Sequence, residues 1–407
     1  MNTMDEVIKV EDGSIITPQG FSAAGLHTGV KRKRNDLGIL LSTVPAEAAA
    51  VYTMNRVKAA PIGVTKASLQ QEGRLQAVIV NSGNANACTG KQGITDAYTM
   101  RAVTAQQFSL QEHHVAVAST GVIGQAMPME KIVPGIAQLH PEVDDLAAEA
   151  FAQAILTTDT REKSSCYQTT IDGKLVTLAG IAKGSGMIAP NMATMLAFIT
   201  TDAVIQHDVL QQELRVVTDV TFNRITVDGD TSTNDMVIVM ANGLAGNEPL
   251  TPDHTEWWKF EELLLKVCED LARMIARDGE GATKLIEVEV FGAEGDEEAG
   301  KVAKAVVGSD LVKTAIYGED PNWGRIMMAI GKSGVPIDPD LVDIAIGPFQ
   351  MINRSQPLAF SDEGIRHYLA NEEIQISIHL NQGEGYGKAW GCDLTYAYVR
   401  INASYTT

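Results

Sequence analysis

The sequence is poor in cysteine and in aromatic residues. Aromatic side chains make up 5 % of the 407 residues, and the four cysteines, Cys88, Cys166, Cys268 and Cys392, form no C-x-x-C pair. Cysteines this far apart are typical of reduced thiols in a cytoplasmic protein. The pattern therefore excludes a disulfide-dense secreted domain and predicts a cytoplasmic location.

The chain also lacks a long apolar run. No stretch of 18 or more apolar residues is free of charges and turn formers, and residues 181–201, which come nearest, are interrupted by Lys183 and by Gly, Pro and Asn. Residues 1–13 carry four acidic side chains and no apolar segment behind a basic start, so they do not predict a signal peptide. We expect neither a membrane partner nor export.

Basic residues are scarce. Lys and Arg number 32 against 51 Asp and Glu, a net charge of −19. Residues 1–193 hold 16 basic and 17 acidic side chains, whereas residues 194–407 hold 16 and 34, so nearly all the excess acid follows position 194. Such a field repels phosphate backbones, which excludes a nucleic-acid partner. The single basic run, Lys31 to Arg34, predicts a solvated surface loop.

Metal-binding and nucleotide-binding patterns are missing as well. Of the eight histidines only His113 and His114 are close, and we expect them to point to opposite faces of the strand they open, which leaves zinc without a ligand set. Residues 228–235 resemble half a calcium loop, but the sixth position is not glycine and the twelfth is Val239. No P-loop and no G-x-G-x-x-G after a strand is present. The sequence predicts no metal and no bound cofactor.

Sheet and helix signals alternate irregularly along the chain. Runs rich in Val, Ile and Thr predict strands over 75–80, 114–119, 174–181, 194–201, 236–240, 285–291, 341–346, 374–380 and 394–401. Apolar residues at three- and four-residue steps predict helices over 94–110, 209–222 and 260–277. This order favours an α/β fold with helices packed over sheets in layers.

A loop rich in Gly, Pro and Asn, residues 183–193, directly precedes Thr194. If the bond between Ala193 and Thr194 were cut, the new α-amine of Thr194 would lie beside its own hydroxyl and could take its proton. The glycines and the small Ala193 permit the backbone distortion that such a cut requires. Pattern alone favours an ordinary β-branched residue that begins a buried strand.

Two other strand ends carry polar side chains. Thr120 and Gly121 follow a predicted strand, and the threonine hydroxyl with the glycine N–H could bind an oxyanion, although a strand-ending turn explains them as well. Asn81 to Gly90 concentrates amides and small residues, which suits either a ligand loop or a tight connection.

Taken together, these segments resemble the ornithine acetyltransferase (glutamate N-acetyltransferase, ArgJ) family over almost the whole chain. The matching segments are 81–90, 119–124, 183–196, 228–235, 277–284, 318–325 and 398–407. The resemblance implies an α/β fold of layered helix-sheet-sheet-helix architecture and a precursor that cleaves itself between Ala193 and Thr194. The expected products are an N-terminal chain, 1–193, and a C-terminal chain, 194–407, which stay together as an α2β2 heterotetramer.

The same resemblance implies acetyl transfer from N-acetylornithine to glutamate in arginine biosynthesis, through an acetyl group on Thr194. Thr120 and Gly121 match the family's oxyanion positions. The substrate-contacting positions match Thr158, Lys183, Thr194, Glu280, Asn402 and Thr407. Lys183 would face an α-carboxylate and Glu280 an ammonium group. Whether acetyl-CoA also serves as a donor stays open.

Two other functions are compatible with the residues alone. A self-processing aminopeptidase or amidase would use the same threonine, amine and oxyanion site but deliver the acyl group to water. A non-catalytic amino-acid-binding or scaffold protein would never cleave itself. The acyl acceptor separates the first alternative from acetyl transfer, and an intact-mass spectrum separates the second.

Overall fold

The computed structural model describes residues 6–189 and 195–404. The strands are β1 Ile8–Lys9, β2 Phe21–Leu26, β3 Leu37–Tyr52, β4 Arg74–Asn84, β5 Val115–Val122, β6 Lys163–Ile171, β7 Lys174–Lys183, β8 Leu196–Thr201, β9 Ile225–Thr226, β10 Met236–Ala241, β11 Leu285–Ala293, β12 Asp343–Ile346, β13 Phe349–Asn353, β14 Gln356–Pro357, β15 Glu373–His379 and β16 Gly385–Cys392. The helices are α1 Ala60–Glu72, α2 Gly90–Gln107, α3 Met129–Ala137, α4 Asp145–Ile155, α5 His207–Val220, α6 Trp257–Arg277, α7 Asp296–Val307, α8 Asp310–Tyr317, α9 Trp323–Gly331, α10 Asp362–Leu369 and α11 Tyr396–Ala403.

The described residues divide into two compact units. The first unit contains residues 6–184, 195–218 and 231–271, and the second contains 185–189, 219–230 and 272–404. Residues on both sides of position 194 contribute to the first unit. The predicted division into chains 1–193 and 194–407 concerns a covalent cut, and it stays a prediction.

The first unit is built on a nine-stranded mixed sheet. Its strands lie in the order β1-β6-β7-β8-β10-β3-β4-β5, and β2 pairs with β3. β8 and β10 run parallel at the middle of this order, and every residue of both is buried. Continuous apolar strands of this kind are expected where a sheet is covered on both faces.

Helices cover both faces of this sheet. Val78 and Val80 of β4 belong to one cluster of buried side chains, together with Phe151 of α4. The alternate residue Ile79 belongs to another cluster, together with Met100 of α2. Since successive side chains of a strand point to opposite faces, α4 and α2 pack on opposite sides of the sheet.

The edge strand β5 is covered by helix α1. The hydroxyl of Thr65 donates to the carbonyl oxygen of Val117 and accepts from its N–H, both at 2.8 Å, and the Ser68 hydroxyl donates to Val115 O at 2.8 Å. These side chains satisfy backbone groups that an open sheet edge would expose.

The second unit contains a seven-stranded sheet in the order β14-β13-β12-β15-β11-β16-β9. In β15, Ile374, Ile376 and Ile378 are buried and alternate with more exposed polar residues. This period of two leaves one face of the strand polar, whereas the other packs on a core shared with α7 and α9.

The α/β fold with helices over sheets is confirmed, as are the three predicted helices and eight of the nine predicted strands within the described residues. The strand predicted over 394–401 is wrong, because Tyr396–Ala403 is helix α11. The alternating aromatic and β-branched residues favour a strand, but the Thr395 hydroxyl accepts a 3.1 Å hydrogen bond from the N–H of Ala397 and begins a helix instead.

Candidate active site

Thr120 and Gly121 lie near the end of β5, beside the end of β4. Thr120 is buried and pairs in register with Ser82, and Gly121 pairs with Gly83. Gly121 has φ +132°, and a Cβ at this position would overlap the backbone of Gly83 and Asn84. Only glycine fits this close approach, which holds the two candidate oxyanion residues in one rigid corner.

Asn234 ties this corner to the central strands. Its side-chain amide donates to Ser119 O at 2.8 Å and to Ala85 O at 2.5 Å. Two residues later Met236 begins β10, where it pairs with Leu196, two residues beyond Thr194. The role of Asn234 was not predicted, because residues 228–235 indicated only an incomplete calcium loop and a match to the family, and neither assigns a role to this side chain.

A buried ion pair lies next to Thr158. Lys163 Nζ lies 2.6 Å from Asp159 Oδ1, and both side chains are fully buried. Asp159 also accepts from the N–H of Gly184 at 2.7 Å and from the N–H of Thr157 at 3.0 Å. The carboxylate therefore fixes the backbone of the half-buried Thr158 against the residue that follows Lys183.

Asp159 remains ionised in this buried position. Burial by itself would raise its pKa, but the Lys163 and Lys183 ammonium groups and the hydrogen bonds from Lys163 and Thr157 outweigh that effect and lower the pKa to about 2. The role of Asp159 was not predicted from the sequence, because a single aspartate between threonines forms no motif.

The basic run Lys31 to Arg34 also contacts the segment around Thr158. Lys31 Nζ donates to Leu156 O at 2.8 Å, and the Arg34 guanidinium donates to Asp159 O at 3.0 Å. Burial lowers the pKa of Lys31 to about 8, against the opposing effect of Asp36. The prediction of a solvated loop is confirmed for Arg32, Lys33 and Arg34, which are exposed, but it is wrong for Lys31, which is partly buried. Lys31 and Arg34 both hold the backbone around Thr158.

Asp235 is a second buried carboxyl near Lys183. It is 3 % exposed, and its Oδ2 has no hydrogen-bond partner. Burial raises its pKa well above the usual value, and the nearby Lys183 charge lowers it only in part. Asp235 therefore keeps its proton to a higher pH than an exposed aspartate, and it opposes the Lys183 charge less.

Glu280 and Asn402 meet in the second unit. The Asn402 side-chain amide donates to Glu280 Oε2 at 2.7 Å, and the N–H of Glu280 donates to Ser185 O at 3.0 Å. A Cβ on Gly186 would overlap the Glu280 carboxylate, so a larger residue at this position would displace that side chain. Two predicted substrate-contacting residues are thus adjacent, and helix α11, which sequence analysis took for a strand, supplies one of them.

Asp228 holds the loop that contains Gly186. Its carboxylate accepts from the N–H groups of Met187 and Ile188 at 2.7 and 2.8 Å, and from the Tyr398 hydroxyl at 3.2 Å. Burial raises the pKa of Tyr398, and the Asp228 charge raises it further, so the phenol remains a hydrogen-bond donor. These contacts assign Asp228 to loop positioning.

The remaining predicted residues are Ala193, Thr194 and Thr407, and all three lie outside the described residues. The prediction of the cleavage site, of the nucleophile and of the last substrate contact therefore stays a prediction.

The expectation for the neighbouring histidines is wrong. His113 and His114 do not point to opposite faces of a strand, because they lie in a short 3-10 turn, Glu112–His114, before β5. Both Nε2 atoms face the carboxylate of Glu72, at 3.2 and 3.1 Å. In the described part of the chain this is the only group of three His, Cys, Asp or Glu side chains close enough to share a metal ion.

A cleft of about 770 Å³ lies between α1 and the beginning of α2. Its lining includes four cationic side chains and no acidic one; the cations are Arg56, Lys58, Lys66 and Lys91. In a chain with a net charge of −19 this concentration of positive charge favours an anionic ligand.

Comparison with known proteins gives a consistent result. The model of the ArgJ family matches residues 22–407. The chain is 62 % identical over 411 residues to the arginine biosynthesis bifunctional protein ArgJ of Halalkalibacterium halodurans, with all of both chains covered. It is 63 % identical over 402 residues to the protein of that name from Geobacillus kaustophilus, and this match covers 99 % of this chain and 98 % of the relative.

Among solved structures, an ornithine acetyltransferase of Mycobacterium tuberculosis complexed with ornithine is 36 % identical, with a TM-score of 0.43; the match covers 46 % of this chain and 100 % of that chain. In the described ranges, no helix is both long and apolar enough to cross a bilayer.

Proposed function

The chain belongs to the ArgJ family, and on that premise we propose that Thr194 carries an acetyl group from N-acetylornithine to glutamate. The protein is an enzyme of arginine biosynthesis, like the relatives that it matches over their whole length. The proposal concerns which residues perform the transfer and how they do it.

One observation carries the assignment of residues. Asn234 bonds to Ser119, which precedes Thr120, and Met236 pairs with Leu196, which closely follows Thr194. One side-chain hydrogen bond and one backbone strand pairing therefore link the rigid Thr120–Gly121 corner to the strand that Thr194 precedes. An oxyanion site and its nucleophile must be close in this way, because both act on one carbonyl group.

The reaction begins after cleavage between Ala193 and Thr194. The α-amine of Thr194 has a reference pKa of about 7.7–8.0, so it can accept the hydroxyl proton at neutral pH. Thr194 Oγ then attacks the acetyl carbonyl, and the hydroxyl of Thr120 and the N–H of Gly121 stabilise the oxyanion.

The acetyl group is then passed on. The amide bond of N-acetylornithine breaks, ornithine leaves with the proton, and the acetyl group stays on Thr194 as an ester. The amine of glutamate attacks that ester, the bond to Oγ breaks, and the hydroxyl regains a proton. Each half-reaction needs the same oxyanion site, which is the basis of ping-pong kinetics.

Charged side chains select the substrates. Lys183, beside the Lys163–Asp159 pair, binds an α-carboxylate. Burial raises the pKa of Asp235, so this carboxyl opposes the Lys183 charge less than an exposed aspartate would. Glu280 binds the free ammonium group of N-acetylornithine, and Asn402 orients the Glu280 carboxylate. Thr158 and Thr407 complete the proposed contacts.

The acceptor experiment tests this function. The purified protein is incubated with N-acetylornithine, with and without glutamate, and the products are separated. We expect acetylglutamate and ornithine in the presence of glutamate and little free acetate without it. Free acetate at the same rate in both reactions would identify the amidase instead, and no turnover would identify a binding protein.

Self-cleavage has its own readout. Scaling 43.7 kDa by chain length predicts pieces of roughly 21 and 23 kDa in an intact-mass spectrum. We propose that these pieces stay together as an α2β2 heterotetramer in the cytoplasm, as in the family. Light scattering of the cleaved protein should give about twice 43.7 kDa, and dissociation into single pieces would contradict this assembly.

Acetyl-CoA is proposed as a second donor, a substrate and not a bound cofactor. Supporting observations are the word bifunctional in the relatives' names and the cationic cleft, which suits the phosphates of that molecule. Replacing Lys58 and Lys91 by glutamate should raise KM for acetyl-CoA at least tenfold and leave transfer from N-acetylornithine unchanged. An unchanged KM would remove the cleft from the donor site.

A further inference from the structure

Glu72, His113 and His114 form a cluster at the beginning of β5, in the first unit. The Nε2 atom of His113 lies 3.2 Å from Glu72 Oε1, and that of His114 lies 3.1 Å from Oε2. One donor atom from each residue lies within 4.8 Å of the other two. Two imidazoles and a carboxylate with this spacing are a typical donor set for zinc.

The fold brings these residues together by fixed elements. Glu72 is the last residue of α1, which hydrogen bonds of Thr65 and Ser68 hold on the edge of β5. The histidines end the 3-10 turn that leads into the same strand. The cluster is therefore preformed and does not depend on a mobile loop.

Local electrostatics favours a cation at this position. The end of a helix carries partial negative charge, and Glu72 adds a carboxylate where the last turn of α1 has no basic residue.

The hydrogen bonds of the cluster are incomplete. His114 Nε2 makes a hydrogen bond to Glu72, but His113 Nε2 is buried and makes none of acceptable geometry, although the carboxylate oxygen is 3.2 Å away. A buried ring nitrogen without a partner is costly, and a metal ion would use its lone pair.

We propose that Glu72, His113 and His114 bind one divalent ion of the zinc type. Zinc bonds of about 2.0–2.1 Å place neighbouring tetrahedral ligand atoms about 3.3 Å apart, close to the two nitrogen–oxygen distances of the cluster. The exposed side of Glu72 leaves a fourth position for water.

The ion would join the end of α1 to the start of β5. Thr120 lies six residues after His114, about 20 Å along the strand, so the ion is remote from the proposed oxyanion site. Its effect is stabilisation of the sheet edge. This inference does not rest on the proposed function.

Calorimetric titration of the full chain with Zn²⁺ tests the site. A Cys88→Ser background removes the exposed thiol as a competing ligand, and the protein is first stripped with a chelator and dialysed. We expect one equivalent of Zn²⁺ per chain, a rise in Tm on binding, and visible absorption when Co²⁺ replaces zinc.

Glu72→Gln and His113→Ala should each weaken Zn²⁺ binding at least tenfold and abolish the Tm rise. Glu72 is half-exposed, so its amide variant keeps the fold, which circular dichroism checks. His140→Ala, at an exposed histidine outside the cluster, should bind as the parent does. Absence of stoichiometric binding, or equal binding in Glu72→Gln and the parent, would overturn the proposal.

Discussion

The side-chain amide of Asn234 donates a 2.8 Å hydrogen bond to the carbonyl oxygen of Ser119, the residue before Thr120. The same amide bonds to Ala85 O, and its oxygen accepts from the Thr233 hydroxyl at 2.6 Å. One buried side chain thus fixes the candidate oxyanion corner relative to the strand that begins at Met236.

Asn234→Ala should therefore damage both stability and turnover. Two buried carbonyl groups lose their donor, which should cost about 2–4 kcal/mol of unfolding free energy. Displacement of Thr120 and Gly121 should lower kcat at least tenfold with a smaller change in KM. Denaturation and steady-state kinetics measure the two effects. Asn371→Ala, at an exposed asparagine, is the control, and an unchanged kcat in Asn234→Ala would refute the positioning role.

The Lys163–Asp159 pair should show strong coupling. Removal of either charge leaves the other buried without its ion-pair partner, so Asp159→Asn and Lys163→Met should each lower the free energy of unfolding by about 3–5 kcal/mol. The double variant should lose much less unfolding free energy than the sum of the losses in the two single variants. Urea denaturation of the four proteins gives the coupling energy. Additive losses would mean that the pair is not a structural unit.

Glu280→Gln should impair recognition of the ammonium substrate. A neutral amide loses a charge-assisted hydrogen bond, which should raise KM for N-acetylornithine by roughly 10- to 100-fold. The Asn402 amide donates to the Glu280 carboxylate and so helps to orient it. Asn402→Ala should therefore also raise KM for N-acetylornithine, but by a smaller factor. Kinetics at varied N-acetylornithine provide the measurement, with exposed Glu384→Gln as control. A KM equal to that of the control would exclude Glu280 from the site.

Glu213, a buried acid in α5, should make the protein less stable as the pH rises. Burial raises the pKa of Glu213 to about 7, and the charge of Glu261 adds to the shift. The folded protein thus keeps a proton that the unfolded chain releases near pH 4.3, so stability falls as pH rises from there through about 7.

Glu213→Gln removes that titration. Its stability at pH 8 should exceed that of the parent by on the order of 1 kcal/mol, with a smaller difference at pH 5. Urea unfolding at both values, beside the exposed control Glu294→Gln, gives the comparison. An identical loss of stability between pH 5 and pH 8 in variant and parent would contradict the assignment.

Sequence patterns predicted the elements whose signal is periodic. Helix α6 and strand β10 follow from apolar spacing, because burial sets that spacing directly. Helix α11 did not, since a single hydroxyl cap at Thr395 outweighs the strand-like alternation that follows it.

The candidate site was only partly predictable for a related reason. Thr120, Gly121 and Lys183 lie at strand ends, where polar and small residues stand out, but the family resemblance was needed to assign their roles. Asp159 and Asn234 act through hydrogen bonds to residues 25 and 115 positions away. Contacts of that range leave no local pattern, and the convergence of Glu72 with His113 and His114 was hidden in the same way.

The most direct test of the central claim is the identity of the acetylated residue during turnover. The protein is mixed with N-acetylornithine labelled in the acetyl group, without glutamate, quenched in acid and digested for peptide mass spectrometry. We predict one labelled acetyl group on Thr194 at the amino terminus of the peptide that begins Thr-Met-Leu, and its loss when glutamate is added before the quench. Label on another residue, or turnover by a chain still intact between Ala193 and Thr194, would contradict the account.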